Sequence, residues 1–136
     1  MKISFTGTRI GMTDEQKHTF ENLITNLSGT ILIHGDCIGA DTDAHNIADK
    51  MGLTNHIRPC TITQCRAHCK GKILAHPKNP LVRNKDIVND GEILIGTPGT
   101  MEETKRGGTW HTIRYARNNN KPYIIIWSDG TTTKSS

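Results

Sequence analysis

Three stretches of this 136-residue chain place small residues and an anion-binding group directly behind an apolar run. Gly7-Thr8-Arg9 follows residues 2–6. His34-Gly35-Asp36-Cys37-Ile38-Gly39-Ala40-Asp41 follows residues 30–33. Gly107-Gly108-Thr109-Trp110 opens a helical stretch after the loop behind residues 92–95. The chemistry these support is capture of a phosphate. Glycines let backbone N–H groups approach an anion, and a helix N-terminus adds partial positive charge. The amides of Gly108, Thr109 and Trp110, with the Thr109 hydroxyl, form one cradle. Arg9 can grip a phosphate with two parallel hydrogen bonds, and Asp41 can cap the following helix or accept from a sugar hydroxyl. Each feature also has a plainer use: an ordinary βα connection at 34–41, helix capping by Thr109, a solvated arginine at position 9.

Other residues extend or compete with this reading. Arg83-Asn84, beside an anion site, would hold phosphate and orient a base or ribose; elsewhere the pair is simply solvated. Glu102 and Glu103 are the paired carboxylates nearest the presumed site, and either can serve as a general acid or base if desolvated. Cys60, Cys65 and Cys69, with His68 or His76 as fourth ligand, match zinc spacing loosely. Free thiols in a loop are the preferred reading, and no cofactor is required. There is no G-x-S-x-G elbow and no H-E-x-x-H.

The elements that must position these residues follow from periodicity. Ile3 and Phe5 mark a first strand. Thr13-Asp14-Glu15-Gln16 is a capping box that starts a helix with Phe20, Leu23, Ile24 and Leu27 on one face. A strand at 30–34 follows, then a helix carrying Ala44, Ile47, Ala48 and Met51 and stopped by Gly52. A weaker strand spans 54–58. Residues 60–80 show no period. A short helix is expected over 81–90, a strand over 92–95, a polar loop over 97–105, a helix over 109–119 with Trp110, Ile113 and Ala116 inward, and a last strand over 123–127. Strands alternating with helices predict an α/β, Rossmann-like, three-layer α/β/α fold with a mostly parallel sheet. It forms a single ligand-binding domain over 1–128, followed by a flexible tail at 129–136. In such a sheet the glycine turns share the carboxyl edge of the strands, where ligands bind.

Composition narrows the partner. The net charge is +4, with 17 Lys and Arg spread along the chain and only two Phe, two Tyr and two Trp. This favours a small anion over the basic, aromatic-studded surface of a nucleic-acid binder. No apolar run approaches the roughly 18 residues of a membrane span. The N-terminus enters a strand without the plan of a secretory leader. The expected compartment is the cytoplasm, with the four cysteines as thiols.

Taken in order, Gly7-Thr8-Arg9, His34-Gly35-Asp36 with Gly39-Ala40-Asp41, Arg83-Asn84-x-x-Ile87-Val88, and Gly107-Gly108-Thr109-Trp110-x-Thr112-Ile113-Arg114-Tyr115-Ala116 resemble the SLOG superfamily. This Rossmann-like group includes the Lonely Guy phosphoribohydrolases, the Smf/DprA proteins and the YspA- and YpsA-type families. The resemblance implies binding of a nucleotide or nucleotide-derived signal, with phosphate on the Gly-Gly-Thr loop, as a sensor or sequestering protein in bacterial or phage conflict. It also implies a homo-oligomer, because relatives often complete the pocket with a second subunit. The Lonely Guy enzymes carry P-G-G-x-G-T-x-x-E, whose Glu works with an upstream Arg to cleave an N-glycosidic bond. If Gly108-Thr109 is the match, Thr112 holds the Glu position. If Gly99-Thr100 is the match, Glu103 does, with Arg83 as its partner. The helix that must fit before the last strand, about three turns at 3.6 residues per turn, favours Gly107-Gly108-Thr109 as the helix-initiating loop and 97–106 as a lid. Binding is therefore favoured over catalysis. The alternatives are a nucleoside-monophosphate phosphoribohydrolase and, less favoured, a single-stranded DNA-binding module.

Overall fold

Alternation of apolar residues along the strands determines which helices each strand meets. The computed structural model describes residues 1–135. The chain runs β1 (Lys2–Gly7), α1 (Asp14–Asn26), β2 (Ile31–His34), α2 (Ala40–Lys50), β3 (Thr54–Ile57), β4 (Lys72–Ile73), α3 (Pro80–Asp90), β5 (Ile93–Thr97), α4 (Gly108–Asn118), β6 (Tyr123–Ile126) and β7 (Thr132–Lys134). A short 3-10 turn lies at Thr63–Cys65. The seven strands form one sheet in the order β4-β3-β2-β1-β5-β6-β7. All neighbours are parallel except β6 and β7.

Ile3 and Phe5 of β1, Leu32 of β2, Ile95 of β5 and Ile126 of β6 face one side and pack with Phe20 and Ile24 of α1 and Ala40, Ala44 and Ala48 of α2. Leu94 and Ile125, one residue out of phase, face the other side and meet Val88 of α3 and Trp110, Ile113 and Ala116 of α4. A strand covered on both faces reads as a continuous apolar run, which is what β5 and β6 are. The result is a three-layer α/β/α Rossmann-like fold. No helix among the described residues is long and apolar enough to cross a membrane.

The capping box at the start of α1 forms as its residue types predict. Thr13 Oγ1 accepts from the Gln16 amide at 3.1 Å, and Gln16 Oε1 accepts from the Thr13 amide at 2.9 Å. The Gln16 side chain also donates to the carbonyls of Pro98 and Ile126, both at 3.0 Å. A residue that reads as local capping chemistry is thus a buried strut under the β5–α4 loop.

Two edge strands depart from expectation. The segment after Ser128, expected as a flexible tail over 129–136, turns at Asp129 and Gly130 and pairs as β7 against β6, with Ile125 opposite Thr133. Ser136 lies outside the described residues. Within 60–80, β4 adds a two-residue parallel strand beside β3.

Candidate functional site

The central strands β1 and β5 send their connections to opposite faces of the sheet, and the crevice at their carboxyl ends is where an open α/β sheet binds ligands. A cavity of about 450 Å³ occupies this position. Its walls are Gly7 at the end of β1 with Thr8 and Arg9 after it, Gly35 and Cys37 after β2, Asp41 in the first turn of α2, Pro80, Arg83, Asn84 and Ile87 along one stripe of α3, and Gly107, Gly108 and Thr109 at the start of α4, with Phe5 and Thr6 of β1 completing the lining. The structure therefore brings together ten residues proposed from sequence: Gly7, Thr8, Arg9, Gly35, Asp41, Arg83, Asn84, Gly107, Gly108 and Thr109.

Arg83 is the strongest group in the wall. It is only 5% exposed. Its Nη1 donates to the Gly35 carbonyl at 2.7 Å and to the Arg58 carbonyl at 3.3 Å, and its Nε donates to Asn84 Oδ1 at 2.8 Å. Nη2 lies 3.6 Å from Cys37 Sγ. Among the described residues no carboxylate forms an ion pair with it. A Cβ on Gly35 would collide with the guanidinium, so the close seat of Arg83 depends on glycine there. The α4 terminus faces the same space. Gly107, its N-cap, brings no capping side chain, and the first intrahelical bond is His111 N to Gly107 O at 3.0 Å. The amides of Gly108, Thr109 and Trp110 precede that bond and have no intrahelical acceptor.

Asp41 supplies the acidic group. Its Oδ2 accepts from the amides of Gly35 at 3.0 Å and Cys37 at 3.1 Å. Burial pushes its carboxyl up to about 6, opposed by the Cys37 amide, the Arg83 charge and the Gly35 amide. Burial likewise pushes the Cys37 thiol up to about 12, with the Asp41 charge adding to the effect. Cys37 is therefore a neutral thiol at ordinary pH, not a nucleophile.

Four residues proposed as ligand contacts do other work, and a fifth, Trp110, offers its amide but not its side chain. His34 is fully buried. Its Nδ1 accepts from the Asp36 amide at 2.9 Å, so its Nε2 carries the proton toward His45 Nδ1 at 3.0 Å. Burial, with His45 beside it, lowers its pKa to about 3 and keeps the ring neutral. Asp36, also fully buried, turns away from the cavity. Its Oδ1 accepts from the Cys69 amide at 2.8 Å and its Oδ2 from Arg66 Nε at 3.2 Å. Gly39 and Ala40 pack against the loop after β1. Gly39 has φ of 104°, a Cβ there would collide with the Arg9 carbonyl, and the Ala40 amide donates to Thr8 O at 2.9 Å. These two residues shape the cavity without lining it. The Trp110 side chain is buried against Trp127, with ring centroids 5.7 Å apart, and its indole donates to Thr100 Oγ1.

The proposed catalytic carboxylate is not at this site. Glu103 is half-exposed and pairs with Arg117 at 2.9 Å and Arg114 at 3.3 Å. Hydrogen bonds from Arg117 hold its carboxyl below the usual range, with Arg114 contributing. Residues 97–106 do not line the cavity, contrary to the lid expected there. Arg114 fastens that loop along α4 by donating to the carbonyls of Thr104 at 2.8 Å and Lys105 at 3.0 Å.

Cys60, Cys65, Cys69 and His68, the loosely zinc-spaced set, are not drawn together in the structure. Among the described residues no three or more His, Cys, Asp or Glu side chains group as metal ligands. The segment is held by hydrogen bonds to the β2–α2 turn instead: Ala67 N to Asp36 O at 2.8 Å, Ile38 N to Cys65 O at 3.0 Å, and the Asp36 carboxylate contacts.

Sequence reasoning missed Pro80 and Ile87 as wall residues. The signal was present. Asn79-Pro80 is an N-cap followed by proline in the first turn, and Asn79 Oδ1 accepts from the Leu81 amide at 3.0 Å. Pro80, Arg83, Asn84 and Ile87 then fall on one face of α3 by helical spacing.

No protein-family profile matches the chain, and no curated protein matches it in sequence. Solved structures do match in fold. A molybdenum cofactor binding protein from the phototrophic bacterium Rippkaea orientalis superposes with a TM-score of 0.72 at 20% identity, over 94% of this chain and 77% of that one. DNA processing protein A (DprA) from Streptococcus pneumoniae gives 0.68 at 17% identity, over 91% of this chain and 49% of that one. DprA from Helicobacter pylori, a structure described for its single-stranded DNA binding mode, gives 0.63 at 15% identity, over 92% and 64%. The chain thus spans about half the length of the first DprA and about two thirds of the second. With identities this low, what the chain shares with all three is the Rossmann-like α/β fold.

Proposed function

We propose that this protein binds a small phosphorylated ligand of the nucleotide class at the carboxyl edge of its sheet, as a sensor or sequestering protein. The observation that carries the reading is Arg83. A guanidinium 95% buried with no carboxylate partner among the described residues is costly to maintain, and its bonds to the Gly35 and Arg58 carbonyls offset only part of that cost. A phosphate beside it, also reached by the open amides of α4 and by Arg9, would supply the missing counter-charge. The Gly-Gly-Thr element of the SLOG-like motifs, Gly107-Gly108-Thr109, lines this same wall and supports the reading. Membership of that superfamily, a role in conflict between bacteria and phages, cytoplasmic residence and a homo-oligomeric state all belong to this proposal.

The test is a thermal-shift and calorimetric panel of nucleoside monophosphates, cyclic nucleotides, ADP-ribose and inorganic phosphate. A ligand at 100 times its Kd adds about 2.7 kcal/mol to stability, a shift of several degrees in Tm. No shift with any of them would overturn the reading. The phosphoribohydrolase alternative is disfavoured by the position of Glu103. It requires release of free base from a nucleotide that Glu103→Ala abolishes.

A second reading takes its support from the two DprA structures, one of them described for single-stranded DNA binding. A strand phosphate could occupy the same cavity. It would give steeply salt-dependent binding of oligonucleotides, whereas a mononucleotide site gives a shallow dependence.

A further inference from the structure

Asp41 is the sole acidic side chain in a wall whose charged and amide groups are otherwise donors. Arg9 and Arg83 are cations. Asn84 gives its Oδ1 to Arg83, which leaves its amide NH₂ for the cavity. Asp41 is 5% exposed, and its Oδ2 is held by two backbone amides. Among the described residues no backbone amide, hydroxyl or cationic side chain donates to its Oδ1, the Cys37 thiol lies beside the carboxylate, and Asp41 does not pair directly with Arg83. One carboxylate oxygen, with only a weak thiol donor beside it, thus keeps acceptor capacity in the wall that also holds a buried cation.

Its neighbours define what it can accept from. Two arginines in the same wall repel a cationic group, which excludes an ammonium. A neutral donor remains. Arg83 and Asp41 are both bonded to Gly35, so a donor reaching Asp41 must lie close to a phosphate on Arg83. In a nucleoside 5′-phosphate the sugar hydroxyls are the donors nearest the phosphate, while the base edge is a sugar ring farther away.

We propose that Asp41 accepts a hydrogen bond from a sugar hydroxyl of the phosphorylated ligand and so makes the site selective for ribosyl over deoxyribosyl phosphates. This rests on the reading of the cavity as a phosphate site. A site built to bond a hydroxyl discriminates against the analogue lacking it, because the buried acceptor is then left unpaired.

Isothermal calorimetry tests it with four probes: AMP, 2′-deoxy-AMP, 3′-deoxy-AMP and inorganic phosphate. The proteins are wild type and Asp41→Asn. Asparagine keeps an oxygen for the Gly35 and Cys37 amides and turns a donor toward the cavity. In the wild type, at least one deoxy form binds about tenfold or more weakly than AMP. In Asp41→Asn the three nucleotides fall within about twofold of one another, and inorganic phosphate binds at least as well as before because a negative charge is gone. Wild type that binds all three nucleotides alike, or Asp41→Asn that keeps the wild-type ratio, overturns the assignment while leaving the phosphate site standing. Wild type that binds neither AMP nor inorganic phosphate overturns the assignment, and the phosphate site falls with it when cyclic nucleotides and ADP-ribose also give no shift. If Asp41→Asn does not fold, Asp41→Glu is measured in its place: its longer reach must change the ratio, and an unchanged ratio overturns the assignment.

Discussion

Arg83 and Asp41 hold opposite poles of a single residue. Arg83 Nη1 donates to the Gly35 carbonyl at 2.7 Å, and Asp41 Oδ2 accepts from the Gly35 amide at 3.0 Å. No ion pair joins them, although both are 5% exposed and line the same cavity. The Gly35 backbone keeps cation and anion from neutralising each other. A direct salt bridge would be satisfied without a ligand; separated charges are satisfied by one that carries both an anion and a donor.

Arg83→Lys retains the charge and loses the planar fork. Lysine cannot bond the Gly35 and Arg58 carbonyls and Asn84 Oδ1 from one rigid plane, nor grip a phosphate with two parallel bonds. AMP affinity is expected to fall by roughly 10- to 100-fold by calorimetry, and urea unfolding to show a loss of about 1–3 kcal/mol. An unchanged Kd would remove Arg83 from the phosphate seat.

Anion affinity should rise as pH falls through the Asp41 transition. The groups facing this carboxyl are the Cys37 thiol and amide and the Gly35 amide from the β2–α2 turn, and the Arg83 guanidinium from α3. Burial raises it to about 6, so it is charged at pH 7.5 and neutral at pH 5. Arg83 stays charged throughout. Sulfate, whose charge is constant over that range, should bind about tenfold more tightly at the lower pH, since a like charge in the cavity is worth about 1–2 kcal/mol at an effective dielectric near 20. Asp41→Asn should flatten the dependence. Stability has its own sign. A carboxyl whose folded pKa lies above the unfolded value stabilises the protonated fold, and that contribution is lost as pH rises through about 6. His34, lowered to about 3 by burial, acts oppositely and weakens the fold as pH drops below its unfolded value. Asp41→Asn removes the compensating term, so it should lose more stability on acidification than wild type in paired urea titrations.

Glycine substitutions separate shape from ligand contact. Gly39 sits at φ 104° and ψ −125°, with the Arg9 backbone where a Cβ would go. Gly39→Ala should cost about 3 kcal/mol or more in urea unfolding, from a strained backbone and a displaced Arg9 loop together. Gly108, in the first turn of α4, has open space around it. Gly108→Ala should be neutral or stabilising by up to about 1 kcal/mol. Equal losses in the two variants would contradict the packing of α2 on the β1 loop.

The fold was legible where burial imposes a period. Phe20, Leu23, Ile24 and Leu27 announce α1, and Trp110, Ile113 and Ala116 announce α4, because each set covers one sheet face. β4 and β7 gave no such signal. Both are short and exposed, with Ile73 56% exposed, and are held by backbone pairing, joined in β7 by the Trp127 indole donating to Thr133 Oγ1. Within the site, glycine and arginine types marked the right loops. Which polar side chains of the 34–41 turn face the cavity was not readable. His34 and Asp36 turn inward to bonds with His45, Arg66 and Cys69, residues 11 to 33 positions away in sequence. The side-chain pattern of the turn does not encode those distant partners.

Asp36 gives the sharpest test of what orders residues 60–80. That segment has no apolar period, the situation in which a metal often replaces a core. Here a buried carboxylate takes that place, bonding the Cys69 amide and Arg66, while its own carbonyl accepts from Ala67. Asp36 also sits at φ 60°, which aspartate and asparagine tolerate better than alanine. Asp36→Ala should therefore lose about 3–5 kcal/mol, the cost of breaking a buried ion pair, and expose 60–80 to limited proteolysis. Asp36→Asn keeps the backbone conformation and one acceptor, and should lose less. EDTA should leave the wild-type Tm unchanged. A Tm that falls in EDTA and recovers on added zinc would mean that Cys60, Cys65 and Cys69 rearrange around a metal, and that hydrogen bonding to Asp36 is not what holds the segment.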